Sequence, residues 1–349
     1  MAKNTTENDK TVKKDLKHLE RIVRGNEDLL IVMHNNPDPD ALASAFALKI
    51  LVEKQFGNKA HIAYTGIIGR AENRAMVQKL RIPLKQYNRI RLEKYNRLAL
   101  VDGQPGAGNT PDIPYHIVID HHPQRRDTHA ELVVVEKDIG ATATILVEWF
   151  QESRIEIPAD VATAFAYAIS SETQNLGRET SSRDIEAYLH VYVRSSIRKL
   201  AQIITPKLPK DYFIVLANAL QQMATFRNLV CAHLGEVPTP EMVSEIADFL
   251  LRIERIGWSF CTGRFKDRLI LSIRSIHPNA KAGRLLKRLT SNSENVGGHD
   301  RIAGGFIPLS SNKEEEIHRM EQELTDKFAT LLGSDDADWN PILDSHEAS

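Results

Sequence analysis

The sequence predicts an α/β protein of two domains, the first built on a mostly parallel sheet and the second a smaller α/β domain. Its 349 residues are enough for two domains at roughly 100 to 200 residues each. Short apolar runs alternate with longer helical patterns in the first half, as is typical of a parallel sheet with crossover helices. A long helical stretch follows, and strand patterns then return. With 42% hydrophobic and 26% charged residues, the composition excludes a collagen-like or wholly disordered chain.

The elements of the first half follow from hydrophobic periodicity. The clearest helix comes after the first strand-like run, because Leu42, Phe46 and Ile50 lie four residues apart and Gly57 stands just beyond as a stop signal. The strands are expected in LLIVM, AHIAYTG, RLALV, HIVI and ELVVV, and a further helix in ATATILVEWFQE.

The second half begins with a helical connector. The pattern DIEAYLHVYVRSSIRKLAQII is interrupted by Pro206 and Pro209 and then resumes. After it, NLVCAHL predicts a strand, PEMVSEIADFLLRI a helix, and WSFCTGRF and RLILSIRSI a hairpin joined through Lys266 and Asp267. The predicted order is a loosely ordered polar tail (1–17), the first domain (18–200), the connector (201–224), the second domain (225–333) and an acidic, loosely ordered tail (334–349).

Charge and cysteine content exclude several classes of partner. Forty-five Lys and Arg against 46 Asp and Glu leave a formal charge of -1, too little basicity to hold long duplex DNA or an anionic membrane. Cys231 and Cys261 form neither a disulfide framework nor a zinc-site spacing, which favours a reducing compartment. The apolar runs are far shorter than the ~20 residues of a membrane span. We therefore expect a cytoplasmic protein.

Acidic and imidazole side chains follow three of the predicted strands. Because the carboxyl ends of strands in an open α/β sheet border one crevice, these side chains should converge. Crowded carboxylates repel one another unless a cation compensates them, and imidazole with carboxylate suits an ion such as Mn²⁺. The ligands suffice for two ions, as in binuclear hydrolases of phosphate esters. The residues are His34, Asp38 and Asp40 after LLIVM, Asp102 after RLALV, and Asp120, His121 and His122 after HIVI.

Each of these motifs alone has a simpler explanation. Asp38 to Asp40 is the composition of a turn or a helix N-cap, and Asp102 before Gly103 and Pro105 that of an ordinary turn. Paired histidines at a strand end are more often solvated than metal-bound. Their joint occurrence at three successive strand ends favours a site.

The motifs HNNPDPDA, VDG, DHH and VGGHDRIAGG, in this order across most of the chain, resemble the DHH phosphoesterase superfamily with a DHHA1 C-terminal domain, of the oligoribonuclease and pAp-phosphatase type. The resemblance implies an active site in the interdomain cleft and two divalent ions, Mn²⁺ above all. It implies one ion held by His34, Asp38 and Asp102 and a second held by Asp40, Asp102 and His121, with Asp102 as the bridge. His122 would face the scissile phosphate or the leaving group, and Asp120 would orient the histidines.

One motif departs from the family. The family usually places an Asp, in a context like TDT, as the last ligand of the second ion, whereas this chain has Glu172 in AISSETQNLGRE. The extra methylene moves the carboxylate, so Glu172 ligates directly, ligates through water or does not ligate. We expect direct ligation; the alternative is that Glu172 merely begins a loop.

The second domain supplies candidate substrate contacts. Glycines of VGGHDRIAGGF permit a close approach of the backbone to an anion, although a glycine-rich hairpin turn is the alternative. An Arg-Ser pair at the end of a strand resembles the substrate-contacting RS element of the family, with a solvated strand end as the alternative. The expected substrate-binding residues are Arg274, Ser275, Gly297, Gly298, His299 and Arg301.

The function implied is hydrolysis of di- to short oligoribonucleotides to mononucleotides, with 3′-phosphoadenosine-5′-phosphate as a second candidate substrate. RecJ-type exonucleases carry further nucleic-acid-binding domains, for which 349 residues are expected to leave little room. A phosphodiesterase for cyclic or linear dinucleotides shares every motif, and a catalytically impaired nucleotide-binding regulator stays open through Glu172. A manganese pyrophosphatase of the same superfamily has a different C-terminal domain, so the VGGHDRIAGG element counts against that function. A homodimer is left open.

Overall fold

The computed structural model describes residues 2–25, 28–107, 110–177, 180–291, 294–298, 300–311, 313–334 and 337–342. The chain divides into two compact units, Met1–Pro206 and Lys207–Ser349. Each unit contains its own sheet and its own buried core. The predicted α/β class is confirmed for both units.

The N-terminal unit contains a parallel sheet of six strands among the described residues, in the order β3-β2-β1-β4-β5-β6. The first strand pairs with the second on one side and the fourth on the other, so the chain changes its direction of strand addition at this point. Such a switch point is where open α/β sheets bind ligands. The strands are β1 Leu29–Asn35, β2 Ala60–Thr65, β3 Leu84–Gln86, β4 Arg97–Val101, β5 Ile117–Asp120 and β6 Leu132–Val135.

Helices pack against this sheet. The one after β1 begins at an N-cap, Asp38, whose side chain accepts from the Ala41 backbone N–H at 2.9 Å, and ends at Gly57 with a φ of 74°. This helix was predicted with the same stop signal. The helices are α1 Ala2–Val23, α2 Pro39–Phe56, α3 Ala71–Leu80, α4 Thr142–Ser153, α5 Ala159–Glu172, α6 Ser182–Tyr192 and α7 Ile197–Ile204.

The N-terminus differs from the expected loosely ordered tail of residues 1–17, because α1 runs through most of it. Val12, Leu16, Leu19 and Val23 recur at helical spacing and pack into the core. The surrounding lysines and glutamates dilute this stripe, so that composition alone marks the segment as polar.

The predicted connector is divided between the units. The long helical pattern breaks into α6 and α7, where the Ser196 hydroxyl accepts from the Lys199 N–H and caps the second helix. Residues 201–206 belong to the first unit and 207–224 to the second. The helix that resumes after Pro209 packs on the C-terminal sheet.

The C-terminal unit contains a mixed sheet of seven strands in its described part, in the order β11-β12-β10-β9-β8-β7-β13. The predicted hairpin through Lys266 and Asp267 is confirmed. The elements are α8 Lys210–Gln222, β7 Ala224–Phe226, β8 Leu229–Glu236, α9 Glu241–Leu250, β9 Trp258–Phe265, β10 Arg268–Ser275, α10 Ala282–Leu289, β11 Val296–Gly298, β12 Ile302–Pro308, α11 Glu314–Leu331 and β13 Asn340–Pro341.

Part of the expected C-terminal tail is also structured. Asn340 and Pro341 pair antiparallel with β7, and the ring of Trp339 lies 6.0 Å from that of Phe226. A large apolar ring placed beside a sheet edge makes this contact favourable in spite of the acidic neighbours. Within the described ranges, none of the helices has the length and apolar character needed to cross a bilayer.

Candidate metal centre

The side chains that follow β1, β4 and β5 meet at the carboxyl edge of the N-terminal sheet. Asp102 lies between two histidines, with Oδ2 at 3.5 Å from His34 Nε2 and Oδ1 at 3.6 Å from His121 Nε2. On the outer sides, Asp38 Oδ2 is 3.7 Å from His34 Nε2 and Asp40 Oδ2 is 3.9 Å from His121 Nε2. The two oxygens of one carboxylate therefore face two separate imidazole–carboxylate groups.

The backbone of Asp102 is unusual. Its φ of 54° places it in the left-handed region, which costs a non-glycine residue of order 1 kcal/mol or more and is concentrated at functional sites. Its N–H donates to the Ile119 carbonyl at 2.8 Å, and the Thr142 hydroxyl donates to its Oδ1 at 3.0 Å. The side chain is 1% exposed. These contacts hold the carboxylate between the histidines.

Asp38 and Asp40 each contact a helix terminus as well as a histidine of the site. Asp38 caps α2 with Oδ1 and faces His34 with Oδ2, so the N-cap explanation and the ligand explanation hold together. Asp40 is fully buried and accepts the N–H groups of Thr142 at 2.6 Å and Ala143 at 2.8 Å. It thus occupies the N-terminus of α4, where Ala141 has no side-chain acceptor of its own.

The second nitrogen of each histidine faces a backbone carbonyl. His34 Nδ1 lies 3.0 Å from the Asn35 oxygen, and His121 Nδ1 lies 3.4 Å from the Ile139 oxygen. A proton assigned to Nδ1 on the basis of these partners makes Nε2 the nitrogen that would bind a metal ion, in place of the proton it shares with the carboxylates.

The electrostatics of the site fit a bound cation. Burial and the charges of Asp102 and Glu172 raise the pKa of Asp40 well above its ordinary value. Burial alone lowers the pKa of His34, but hydrogen bonds to Asp102 and Asp38 raise it to about 11. Excess negative charge around imidazole nitrogens favours a positive charge at this place, and imidazole with carboxylate suits Mn²⁺ and related divalent ions.

His122 is held separately from the other histidines. Its Nδ1 is 2.8 Å from Asp120 Oδ1, and this hydrogen bond raises the pKa of His122 to about 9. The other oxygen of Asp120 accepts from Gln104 Nε2 at 2.6 Å. Asp120 therefore orients His122, whereas His121 is oriented by the Ile139 carbonyl. Gln104 is 2% exposed, and no pattern in the sequence distinguishes it from a turn residue.

Two groups of three among the described residues offer ligand atoms within 4.8 Å of one another. One contains His34, Asp38 and Asp102, as predicted, and the other contains Asp102, His121 and His122, with His122 in place of the predicted Asp40. Glu172 ends α5, outside both groups. Burial and the charges of Asp38 and Asp102 raise its pKa to about 8, so it lies within electrostatic reach of the site, and its role as a ligand stays a prediction.

The predicted glycine-rich element of the C-terminal unit forms an antiparallel hairpin of β11 and β12. A Cβ at Gly298 would lie 2.3 Å from the Ile302 oxygen, so glycine is required where the strands approach, whereas one at Gly297 would meet nothing within 4 Å. The close approach of the two strands at Gly298 agrees with the alternative of a glycine-rich hairpin turn. Arg301 lies just before β12, its carbonyl accepting from the Ser275 N–H, and His299 lies outside the described residues.

Arg274 is 5% exposed and bound within its own unit. Its Nε donates to Asp248 Oδ1 at 2.7 Å, and its NH1 donates to the Ala303 carbonyl at 3.2 Å. Ser275 is similarly buried, with its hydroxyl donating to the Gly257 carbonyl at 3.2 Å. The guanidinium is thus buried and hydrogen-bonded within its own unit, and the expected substrate contact of both residues stays a prediction.

Comparisons with known proteins agree with this geometry. Residues 28–169 match the DHH family, N-terminal domain. The chain is 36% identical over 314 residues to an uncharacterized protein of Methanocaldococcus jannaschii, covering 87% of this chain and 64% of that protein. It is 30% identical over 149 residues to a probable manganese-dependent inorganic pyrophosphatase of Exiguobacterium, covering 42% of this chain and 48% of that protein. The chain thus spans about half to two thirds of these relatives.

Two solved structures share the fold. An exopolyphosphatase-related protein from Bacteroides fragilis superposes with a TM-score of 0.71 at 15% identity, covering 92% of this chain and 98% of that chain. RecJ from Thermus thermophilus, in complex with Mn²⁺, superposes with a TM-score of 0.53 at 15% identity, covering 91% of this chain and 55% of that chain. At this identity the likeness concerns the fold alone.

Proposed function

Because this chain belongs to the DHH phosphoesterase superfamily, we propose that it hydrolyses phosphoester bonds with the aid of two divalent metal ions. One observation carries the proposal. The buried carboxylate of Asp102 presents its two oxygens to His34 and His121, each of which faces a further aspartate. This arrangement stands at the switch point of the sheet, where open α/β folds bind ligands.

Two sets of residues, which share Asp102, would hold the two ions. His34, Asp38 and Asp102 would hold one ion, and Asp40, Asp102 and His121 the other, with Glu172 as a further ligand of the second. Such ions, Mn²⁺ by preference, neutralise phosphate charge and activate water.

His122 has a role of its own. The hydrogen bond that its Nδ1 donates to Asp120 fixes the ring, and its side chain is 54% exposed. Its Nε2 is therefore free to contact the scissile phosphate or to give a proton to the leaving oxygen.

For the substrate, we propose di- to short oligoribonucleotides that yield mononucleotides, with 3′-phosphoadenosine-5′-phosphate as a second substrate. A net charge of -1 is a poor match for a long polyanion, because each phosphate neutralised needs a cation. The C-terminal unit would bind the substrate through the element around Gly297, His299 and Arg301. The likeness to a probable pyrophosphatase makes pyrophosphate a necessary comparison.

The test is product analysis with the purified chain and Mn²⁺. A labelled ribodinucleotide, a long single-stranded RNA, 3′-phosphoadenosine-5′-phosphate, a cyclic dinucleotide and pyrophosphate are assayed in parallel. Loss of the dinucleotide well ahead of the long RNA, the cyclic dinucleotide and pyrophosphate, abolished by chelator and by Asp102→Asn, supports the proposal. Preference for pyrophosphate or the cyclic compound would reassign the substrate, and inertness toward all of them despite bound metal would reject catalysis.

A further inference from the structure

We propose that Asp184 is a positioning residue for the metal centre, acting through residues 139–144, here called the support segment. Asp184 lies on α6 and matches none of the motifs that point to the site. The inference rests on the proposed function only in taking His121, Asp40 and Asp102 as metal ligands.

The front of the support segment contacts three of the predicted ligands. It supplies a backbone or a hydroxyl group to each of them, so the position of the segment sets the orientation of the ligands. The contacts run from His121 Nδ1 to the Ile139 oxygen (3.4 Å), from the N–H groups of Thr142 and Ala143 to Asp40 (2.6 and 2.8 Å) and from Thr142 Oγ1 to Asp102 Oδ1 (3.0 Å).

The back of the support segment is held by Asp184, which is fully buried. Its Oδ2 accepts the Gly140 N–H at 2.8 Å, and its Oδ1 accepts the Thr144 hydroxyl at 2.6 Å. The carboxylate is fixed in turn by Ser181, whose N–H and hydroxyl both donate to Oδ2, at 2.8 and 2.7 Å. The support segment is thus clamped between the ligands and the first turn of α6.

Burying a carboxylate costs free energy unless hydrogen-bond donors surround it. Here four groups donate hydrogen bonds to the side chain of Asp184. Residues 139–141 of the support segment lie outside regular secondary structure. Their N–H groups therefore take part in no helix or sheet hydrogen bonding and need other acceptors. Without Asp184, the Gly140 N–H loses its acceptor and the segment loses its anchor. Removal of a direct hydrogen-bond partner of a metal ligand costs metal affinity about 10- to 100-fold, and Asp184 acts one contact further out, so the lower end of this range is expected.

The test measures Mn²⁺ affinity of the full chain by electron paramagnetic resonance, which does not depend on turnover. Asp184→Ala removes every acceptor, whereas Asp184→Asn keeps one oxygen for the Gly140 N–H. The matched control is Glu321→Ala, which removes a buried carboxylate of the C-terminal unit that accepts from Thr262 Oγ1 at 2.5 Å. Amide hydrogen exchange of Gly140 and Thr142 in the metal-free protein provides a second readout.

We expect Asp184→Ala to weaken Mn²⁺ binding about tenfold and to speed exchange at Gly140 and Thr142. Asp184→Asn should recover most of the affinity, and Glu321→Ala should leave it unchanged even where it lowers stability. If Asp184→Ala does not fold, Thr144→Val replaces it, with the same direction of change expected.

Native affinity and native exchange in the folded variant overturn the inference. If the wild-type chain binds no Mn²⁺, that result rejects the proposed function itself, before any variant is compared.

Discussion

The substitution Asp102→Asn isolates the charge of the central carboxylate. Asparagine has the same shape, and it is among the few residues that tolerate the left-handed φ of 54° found at this position. Its amide oxygen can still accept from the Thr142 hydroxyl, which lies 3.0 Å from Asp102 Oδ1. The fold should therefore persist while one negative charge is lost.

The size of the effect follows from distance. The oxygens of Asp102 lie 3.5 and 3.6 Å from the Nε2 atoms of His34 and His121, so a cation bound among these groups is only a few ångströms from the carboxylate. Two unit charges about 4 Å apart interact by ~4 kcal/mol at an effective dielectric constant of 20, and a divalent ion doubles this to ~8 kcal/mol. At about 1.4 kcal/mol per tenfold change, the loss of even half of this attraction should weaken Mn²⁺ binding by about a thousandfold.

The assay combines Mn²⁺ titration, turnover of a ribodinucleotide and a thermal melt. Asp127→Asn serves as the control, because Asp127 is an exposed aspartate of the same unit, with its side chain 63% exposed. We expect an unchanged melting temperature for the metal-free variant, weak Mn²⁺ binding and turnover lower by orders of magnitude. Near-normal turnover at saturating Mn²⁺ would refute the idea that Asp102 is shared between two ions.

Three further changes test other parts of the structure. His122→Ala should lower kcat about 10²- to 10⁴-fold, while metal analysis shows an unchanged content; a drop in content would make His122 a ligand. Gln104→Ala should lower the free energy of unfolding by about 1–3 kcal/mol in urea titration, because it leaves buried partners such as Asp120 unsatisfied; native stability would show that they find others. Gly298→Ala should lower the melting temperature and Gly297→Ala should not, since only the former puts a Cβ against the neighbouring strand; equal melting temperatures would contradict the close approach.

The sequence predicted that these acidic and imidazole side chains would converge, because their convergence depends on local order. Strand ends are recognisable from short apolar runs, and the parallel sheet brings the ends of adjacent strands together whatever the loops do. The positions of His34, Asp102 and His121 therefore follow from residue type and strand order. Even the dual use of Asp38 as an N-cap and as a candidate ligand was visible, as two competing explanations.

Other features depend on contacts between distant residues, which one sequence does not reveal. Asp184 reaches Gly140 across 44 positions of the chain, and Arg274 is buried where Asp248 and the Ala303 carbonyl accept its hydrogen bonds. The helix α1 was missed for a related reason, since its apolar stripe acquires meaning only against the core on which it packs.

The position of Asp40 at the start of α4 limits how inactive forms of this protein can be made. The helix that it caps carries Trp149 and Phe150, both fully buried, so a change at Asp40 would disturb the core as well as the candidate metal centre. A variant meant to trap a bound substrate for crystallography is better made at His122, which is half exposed and caps no helix. Such a variant would retain the scaffold and the candidate ligands while slowing the proposed chemistry, and the trapped molecule would identify the natural substrate directly.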